Sequence, residues 1–462
     1  MKWEEHMNFK KAATIATAVG ALAAISVPVF AVDFAFHGAL DNRFNIYTNQ
    51  AQMYKGAETV KSNPVRDDDN SAIWGDAKYR LWTEMGTNDG KVKGVYAIEV
   101  GALRFGNGDN KGGGATYSGD GVNIETRWAY TDFQLPFVDS KARVQVGLMP
   151  FTVNPYVWQE TVMGAQLLGS TSAFDYKLAW VRGKEVYPSD TQKNSFQDAD
   201  AFLLRGDIKP MEGLKTGAFL LYQRMGGYNP TATPLRTSET AYEIKGFGID
   251  EYDLYTFGID GKYTTKTDFG SVFLNYDLIY QGGNIEQPGD QDVSAYFLHA
   301  DLGANIDRLR LTYTTWYASG DADSSDNKKH NFMSTDVDMN ASIVLFEGGL
   351  TSDNYFTEAP YIVDKGLYLN KLAADYKFTD KASGGLALLY LMTAKDLKNG
   401  SKTLGTEIDA SINYKLYSNL DLNLNYGYLF SGDGMDNFVG GVDAGKSAGN
   451  IYRSTMNVSY KF

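Results

Sequence analysis

Charged side chains in this 462-residue chain recur at alternate positions within long runs that otherwise carry apolar and aromatic residues. Arg43, Arg80, Arg127, Arg143, Arg205 and Arg310 lie on the polar faces of such runs, as does Arg453 near the end of the chain. Asp41, Asp76, Glu99, Glu125, Glu407 and Asp409 fall on the same kind of face, together with Asp301. Side chains of a strand point to opposite faces with period two, so each run shows one polar and one apolar side. If the polar side encloses water, basic and acidic groups on facing walls set up a field across it. Such a field orients dipolar solutes and filters ions. The competing expectation is that these charges only solvate the wall or pair across strands.

Other candidate chemistry is sparse. His299 and Asp301 share one strand face, but no serine motif accompanies them, so no enzyme is expected and His299 reads as a wetted wall histidine. Asp321-Ala322-Asp323-Ser324-Ser325-Asp326 has the spacing of a calcium loop. It lacks the glycine at its sixth position and carries Phe332 where the bidentate glutamate belongs. The chain has no cysteine, which excludes disulfides, thiolate metal sites and covalent haem attachment. No metal or cofactor is therefore expected. The net charge of −13 argues against nucleic acid as a partner.

The elements that must position these residues are strands. In Val32–Thr48, the residues Phe34, Phe36, Leu40, Phe44 and Ile46 alternate with Asp33, His37, Asp41, Arg43 and Asn45. Thr406–Leu416 and Leu420–Leu429 repeat the pattern. Strands are expected to begin near Val32, Ala72, Val92, Val122, Lys141, Glu160, Phe174, Asp200, Leu214, Glu251, Gly270, Val293, Leu309, Gly366, Ser383, Gly405, Leu420 and Ile451. That makes about 18 strands, with 16 as the alternative, in an all-β, antiparallel, up-and-down transmembrane barrel. Connections alternate between short turns such as Thr87–Gly90 and Tyr417–Asn419 and long loops such as Met225–Asp250 and Gly320–Lys365. Short periplasmic turns and long extracellular loops are the mark of such barrels. The mean hydropathy of −0.33 excludes a bundle of membrane helices but not a barrel, whose two faces average out.

Residues 1–31 read as a secretory signal. Lys10-Lys11 precede the small apolar run Ala12–Ile25, and Val29-Phe30-Ala31 places small residues for cleavage between Ala31 and Val32. Residues 32–462 are then the barrel.

The chain ends Tyr452-Arg453-Ser454-Thr455-Met456-Asn457-Val458-Ser459-Tyr460-Lys461-Phe462, with Tyr452, Met456, Val458, Tyr460 and Phe462 on one face. This resembles the terminal strand of Gram-negative outer-membrane proteins. The resemblance implies that Tyr460 and Phe462 are read by the barrel-assembly machinery. It places the protein in the outer membrane, against lipid and lipopolysaccharide, with a homotrimer as a further expectation. Tyr317–Asp321 and Leu404–Asp409 resemble segments of porins from metal-reducing deltaproteobacteria and of alginate-exporter-like barrels. The implied function is a water-filled channel for passive diffusion of small hydrophilic solutes and ions. A substrate-specific outer-membrane channel or exporter, and a barrel sleeve or scaffold for an electron-transfer partner, are the alternatives. General porins narrow the lumen with their third external loop, here Pro150–Gln159 with Tyr156 and Trp158. The Gly320–Lys365 loop, with its apolar Ile343-Val344-Leu345-Phe346, could equally reach the lumen or pack on the rim.

Overall fold

A computed structural model describes residues 32–48, 71–105, 122, 124–136, 138, 141–184, 198–225, 251–286, 290–323, 326–346, 359–438 and 449–462. The expected signal and cleavage residue Ala31 lie outside the described residues, as do most of the long loops. Val32 is the first residue of the first strand.

The strands are β1 (Val32–Thr48), β2 (Ser71–Thr87), β3 (Val92–Arg104), β4 (Glu125–Gln134), β5 (Arg143–Asn154), β6 (Trp158–Ser170), β7 (Phe174–Lys184), β8 (Ala199–Met211), β9 (Leu214–Met225), β10 (Tyr252–Thr267), β11 (Gly270–Ile285), β12 (Gln291–Ile306), β13 (Leu309–Ala318), β14 (Lys328–Lys329), β15 (Leu367–Lys377), β16 (Ala382–Met392), β17 (Thr403–Tyr417), β18 (Leu420–Ser431) and β19 (Ile451–Lys461). Each wall strand pairs antiparallel with the next, and β13 pairs directly with β15. β1 pairs with β19 from Ala39↔Lys461 to Tyr47↔Arg453, which closes the sheet. The two-residue β14 lies parallel to β12 and belongs to a loop. The wall is therefore a closed barrel of 18 strands, not 16, and each strand begins within three residues of its expected start. Closure leaves no edge, the only way a sheet satisfies its backbone groups in hydrocarbon.

Short turns gather at one end of the wall. In the β2–β3 turn, Gly90 takes the left-handed conformation (φ 66°). There the Thr87 hydroxyl and the Lys91 amide hold the Asp89 carboxyl down at about 2. Both chain ends of the barrel lie at this same end, since Val32 pairs with Thr87 and Phe462 exchanges backbone hydrogen bonds with Gly38.

Alternation sorts the two faces. Phe34, Leu204, Leu386 and Ile412 point outward and are more than half exposed, as lipid contact requires. Aromatics crowd the outer face near the long-loop end, where Phe202, Tyr222 and Tyr255 stack in sequence across neighbouring strands, as do Tyr296 and Tyr317. Such girdles suit the membrane interface. Asp76, Gln281, Glu407 and Arg453 point inward and are buried.

Inside, large rings lie over glycines of the adjacent strand. A Cβ at Gly258 would come 2.2 Å from the Phe219 ring. Gly258→Val should therefore lower stability by about 1–3 kcal/mol through overpacking. Gly206→Val, where nothing lies within 4 Å, should be close to neutral. Urea unfolding of the lipid-reconstituted barrel compares the two; equal midpoints would mean that Phe219 moves aside without cost.

Candidate functional site

Inside the barrel, most of the charged side chains singled out above are paired between neighbouring strands. Arg43 donates from Nε and Nη2 to the fully buried Asp76 at 3.2 and 3.1 Å, and Asn45 and Trp74 donate to the same carboxylate. Arg80, Arg127 and Lys78 surround Glu99 at 2.6, 2.6 and 3.1 Å. Glu125 sits exposed directly opposite Glu99. Arg143 bonds Asp132 at 2.6 Å, and Asp41 accepts from the Ser459 hydroxyl. Arg310 lies over the Phe273 ring at 4.3 Å. Arg205 is held by two carboxylates, Asp207 and Asp260, each at 2.7 Å from Nη2. Arg43, Arg80, Arg127, Arg143 and Arg205 are thus paired locally with carboxylates and are not segregated onto one wall facing an acidic one.

Two segments fold into the lumen. The third external connection is not a ten-residue loop: β5 runs to Asn154 and β6 starts at Trp158, so only Pro155, Tyr156 and Val157 turn the hairpin. Val153, Asn154, Val157 and Trp158 are buried. Asn154 Nδ2 donates to Asp277 at 2.6 Å and to Asp260 at 3.1 Å, carboxylates on β11 and β10, well around the wall. Tyr156 packs against Phe297, His299 and Trp316 of β12 and β13.

The second segment is the connection from β13 to β15, whose residues 331–346 lie within the barrel, not on its rim. Its two ends meet, since a Cβ at Gly320 would touch the Lys365 carbonyl. From there it reaches several sectors of the wall. Gln281 of β11 exchanges hydrogen bonds with the Met333 backbone, and Gln223 of β9 bonds Thr335. The amides of Thr335 and Gln159 donate to Val157 and Asp336 carbonyls, and Ser334 Oγ donates to the Tyr156 carbonyl. The chain then crosses to β17–β19. There Glu407 accepts from the amides of Ile343, Val344 and Leu345, and Arg453 donates to the Ile343 carbonyl. Phe332, Val344, Leu345 and Phe346 are fully buried against inward Phe297, Trp316, Leu369, Leu389, Leu391 and Leu429.

His299 is not wetted. It is buried between Asp277 (Nδ1, 2.7 Å) and Asp301 (Nε2, 3.3 Å), under Tyr156. Both ring nitrogens face carboxylates, which leaves neither to activate a nucleophile. Asp321 caps the amides of Asp323 and His330 and so shapes the loop's root. No group of three or more potential metal ligands occurs among the described residues.

Beneath the hairpin tip, toward the short-turn end, lies a cavity of about 750 Å³. Lys141, Arg143, Lys177, Arg205, Lys215 and Lys262 line it, against Asp175, Asp207, Asp260 and Asp277. Sequence reasoning missed Asp207, Asp260, Asp277, Lys177 and Lys262, although all five sit on polar faces by the same parity.

A closed 18-strand wall with an apolar outer belt, a polar inner face and inward-folded external loops defines an outer-membrane β-barrel of porin architecture. Solved structures of that class match nearly the whole chain. The outer membrane protein opdK from Pseudomonas aeruginosa aligns with a TM-score of 0.55 at 12% identity, covering 93% of this chain and 98% of that one. OprD from Pseudomonas aeruginosa aligns at 0.54 and 10%, covering 95% of each. A BenF-like porin from Pseudomonas fluorescens Pf-5 aligns at 0.55 and 12%, covering 93% and 98%. No family model matches the sequence, and no curated protein does.

Proposed function

We propose that the barrel is a passive, selective channel for small hydrophilic solutes. The observation that carries this reading is the lumen itself: a wall wide enough for a water-filled passage, narrowed by two of its own loops. The inlaid segments favour a selective channel over a wide general pore. The same segments occupy the space that a threaded electron-transfer partner would need, so the sleeve reading loses support. Tyr317–Asp321 and Leu404–Asp409, the segments resembling porins of metal-reducing deltaproteobacteria, are the root of the inlaid loop and the wall that grips it. That finer kinship is part of the proposal, as are export by residues 1–31, assembly through Tyr460 and Phe462, lipopolysaccharide contact and a trimer.

Selectivity follows the local field, because charges beyond a Debye length of ~8 Å are screened. Six basic and four acidic side chains line the cavity. Small anions are therefore preferred, despite the chain's net charge of −13. In a planar bilayer under a salt gradient, the reversal potential should carry the sign of anion preference, and Lys177→Ala with Lys262→Ala should reduce it. A folded barrel without conductance would sink the channel reading, and a cation-selective one would sink the assignment of the cavity.

A further inference from the structure

The grip of β17 on the inlaid loop has an unusual form. Residues Ser342–Phe346 make a compact turn: the amides of Ala341 and Ser342 donate to the Phe346 carbonyl, and the Phe346 amide donates to Ser342 Oγ. This turn aims three successive amides at one point. The Glu407 carboxylate, fully buried, occupies that point and accepts from Val344 at 2.6 Å, Ile343 at 3.0 Å and Leu345 at 3.3 Å. Asp409, two residues on along the same face, accepts from Ile343 at 3.2 Å. Converging backbone amides form an anion-binding concavity. Here the anion is supplied by the wall, so the loop binds its own barrel as it would bind a ligand.

Other contacts fix the turn's orientation. Arg453 on β19 holds the Ile343 carbonyl at 2.9 Å, and Lys371 on β15 holds the Ala341 carbonyl at 2.7 Å. Gly427 on β18 makes room, since a Cβ there would lie 2.9 Å from both the Ile343 Cβ and a Val344 methyl. A polar cavity of about 220 Å³ adjoins Asn340–Ile343.

We propose that Glu407 is the positioning residue of the constriction: its carboxylate, by clasping the amides of residues 343–345, sets how far the loop projects into the lumen and thereby the open width. As a statement about pore width this rests on the channel reading; as a statement about the loop's docking it does not. Hydrogen bonds to charged groups are the strong ones, and losing one such bond shifts an equilibrium roughly 10- to 100-fold.

The test has two independent readouts. Leu345→Cys, fully buried and introduced into a cysteine-free chain, reports docking by its reaction with a membrane-impermeant maleimide. Adding Glu407→Gln, which preserves shape but removes charge, should speed labelling roughly tenfold or more while the barrel keeps its heat-shift on gels. Single-channel recording of Glu407→Gln without the reporter should show larger, noisier open steps. Labelling at the parental rate in the Glu407→Gln chain would overturn the proposal, and so would open steps of unchanged size in a parent that conducts. If the parent itself is electrically silent, the channel reading fails, and accelerated labelling still decides the latch.

Discussion

Joining Gly320 directly to Lys365, with residues 321–364 removed, should leave an intact 18-strand barrel that conducts in much larger steps than the parent. Geometry permits the deletion. The two ends already touch, and β13 pairs with β15 across ten registered positions without help from the loop. Energetics decide whether the wall survives. Uncovering inward Trp316, Leu369, Leu389, Leu391 and Leu429 forfeits burial of about 1.5–3 kcal/mol for each, on the order of 10 kcal/mol in total. The deletion also removes the entropic cost of ordering the loop, which opposes that loss. The ladder of wall hydrogen bonds between β13 and β15 is untouched, so the wall survives the deletion. Conductance and reversal potential measure the outcome: wider steps with weaker selectivity are expected. Steps of unchanged size would mean that ions do not pass the inlaid loop. A fall would mean that the uncovered leucine patch dewets the lumen.

The wall was legible in the sequence because its physics is local. Period-two alternation and turn residues between the runs located all 18 strand starts to within three residues. A polar inner face also followed from parity alone, which put Arg43, Asp76, Glu407 and Asp409 on it. The inlay was harder to read, because whether a loop enters the lumen depends on side chains far apart in sequence. One signal was present. In Leu386–Leu391 alternation fails, and inward Leu389 and Leu391 are as apolar as outward Leu386 and Leu388. A strand apolar on both faces is covered on both, here by lipid outside and by Phe346 and its neighbours inside. Val293, Ala295 and Phe297 on β12 break the pattern in the same way. His299 was misread because its burial is imposed by Tyr156, which approaches from a hairpin more than a hundred residues away in sequence.

Arg205→Ala should produce the largest effect of any single substitution at the cavity. Arg205 bridges Asp207 and Asp260, and Asp260 also accepts from Asn154 of the hairpin tip. The same Asn154 bonds Asp277, whose other partner is His299. The guanidinium therefore neutralises the acidic seat on which the tip rests. Its removal leaves Asp207 and Asp260 without their cation beside Asp277, and breaking a largely buried pair in this way costs about 3–5 kcal/mol. The guanidinium is 16% exposed, so the lower end of that range applies. Two readouts should move together. The reversal potential should shift toward cations, since the cavity loses one of its six basic groups and exposes two carboxylates. Open-channel noise should rise as the repelling aspartates release the tip. Arg205→Lys separates charge from geometry, because an ammonium restores the charge but not the two-sided fork. It should recover most of the reversal potential while leaving the noise high. Recovery of both by lysine would show that only charge matters at this position. Unchanged selectivity in Arg205→Ala would remove the cavity from the ion path.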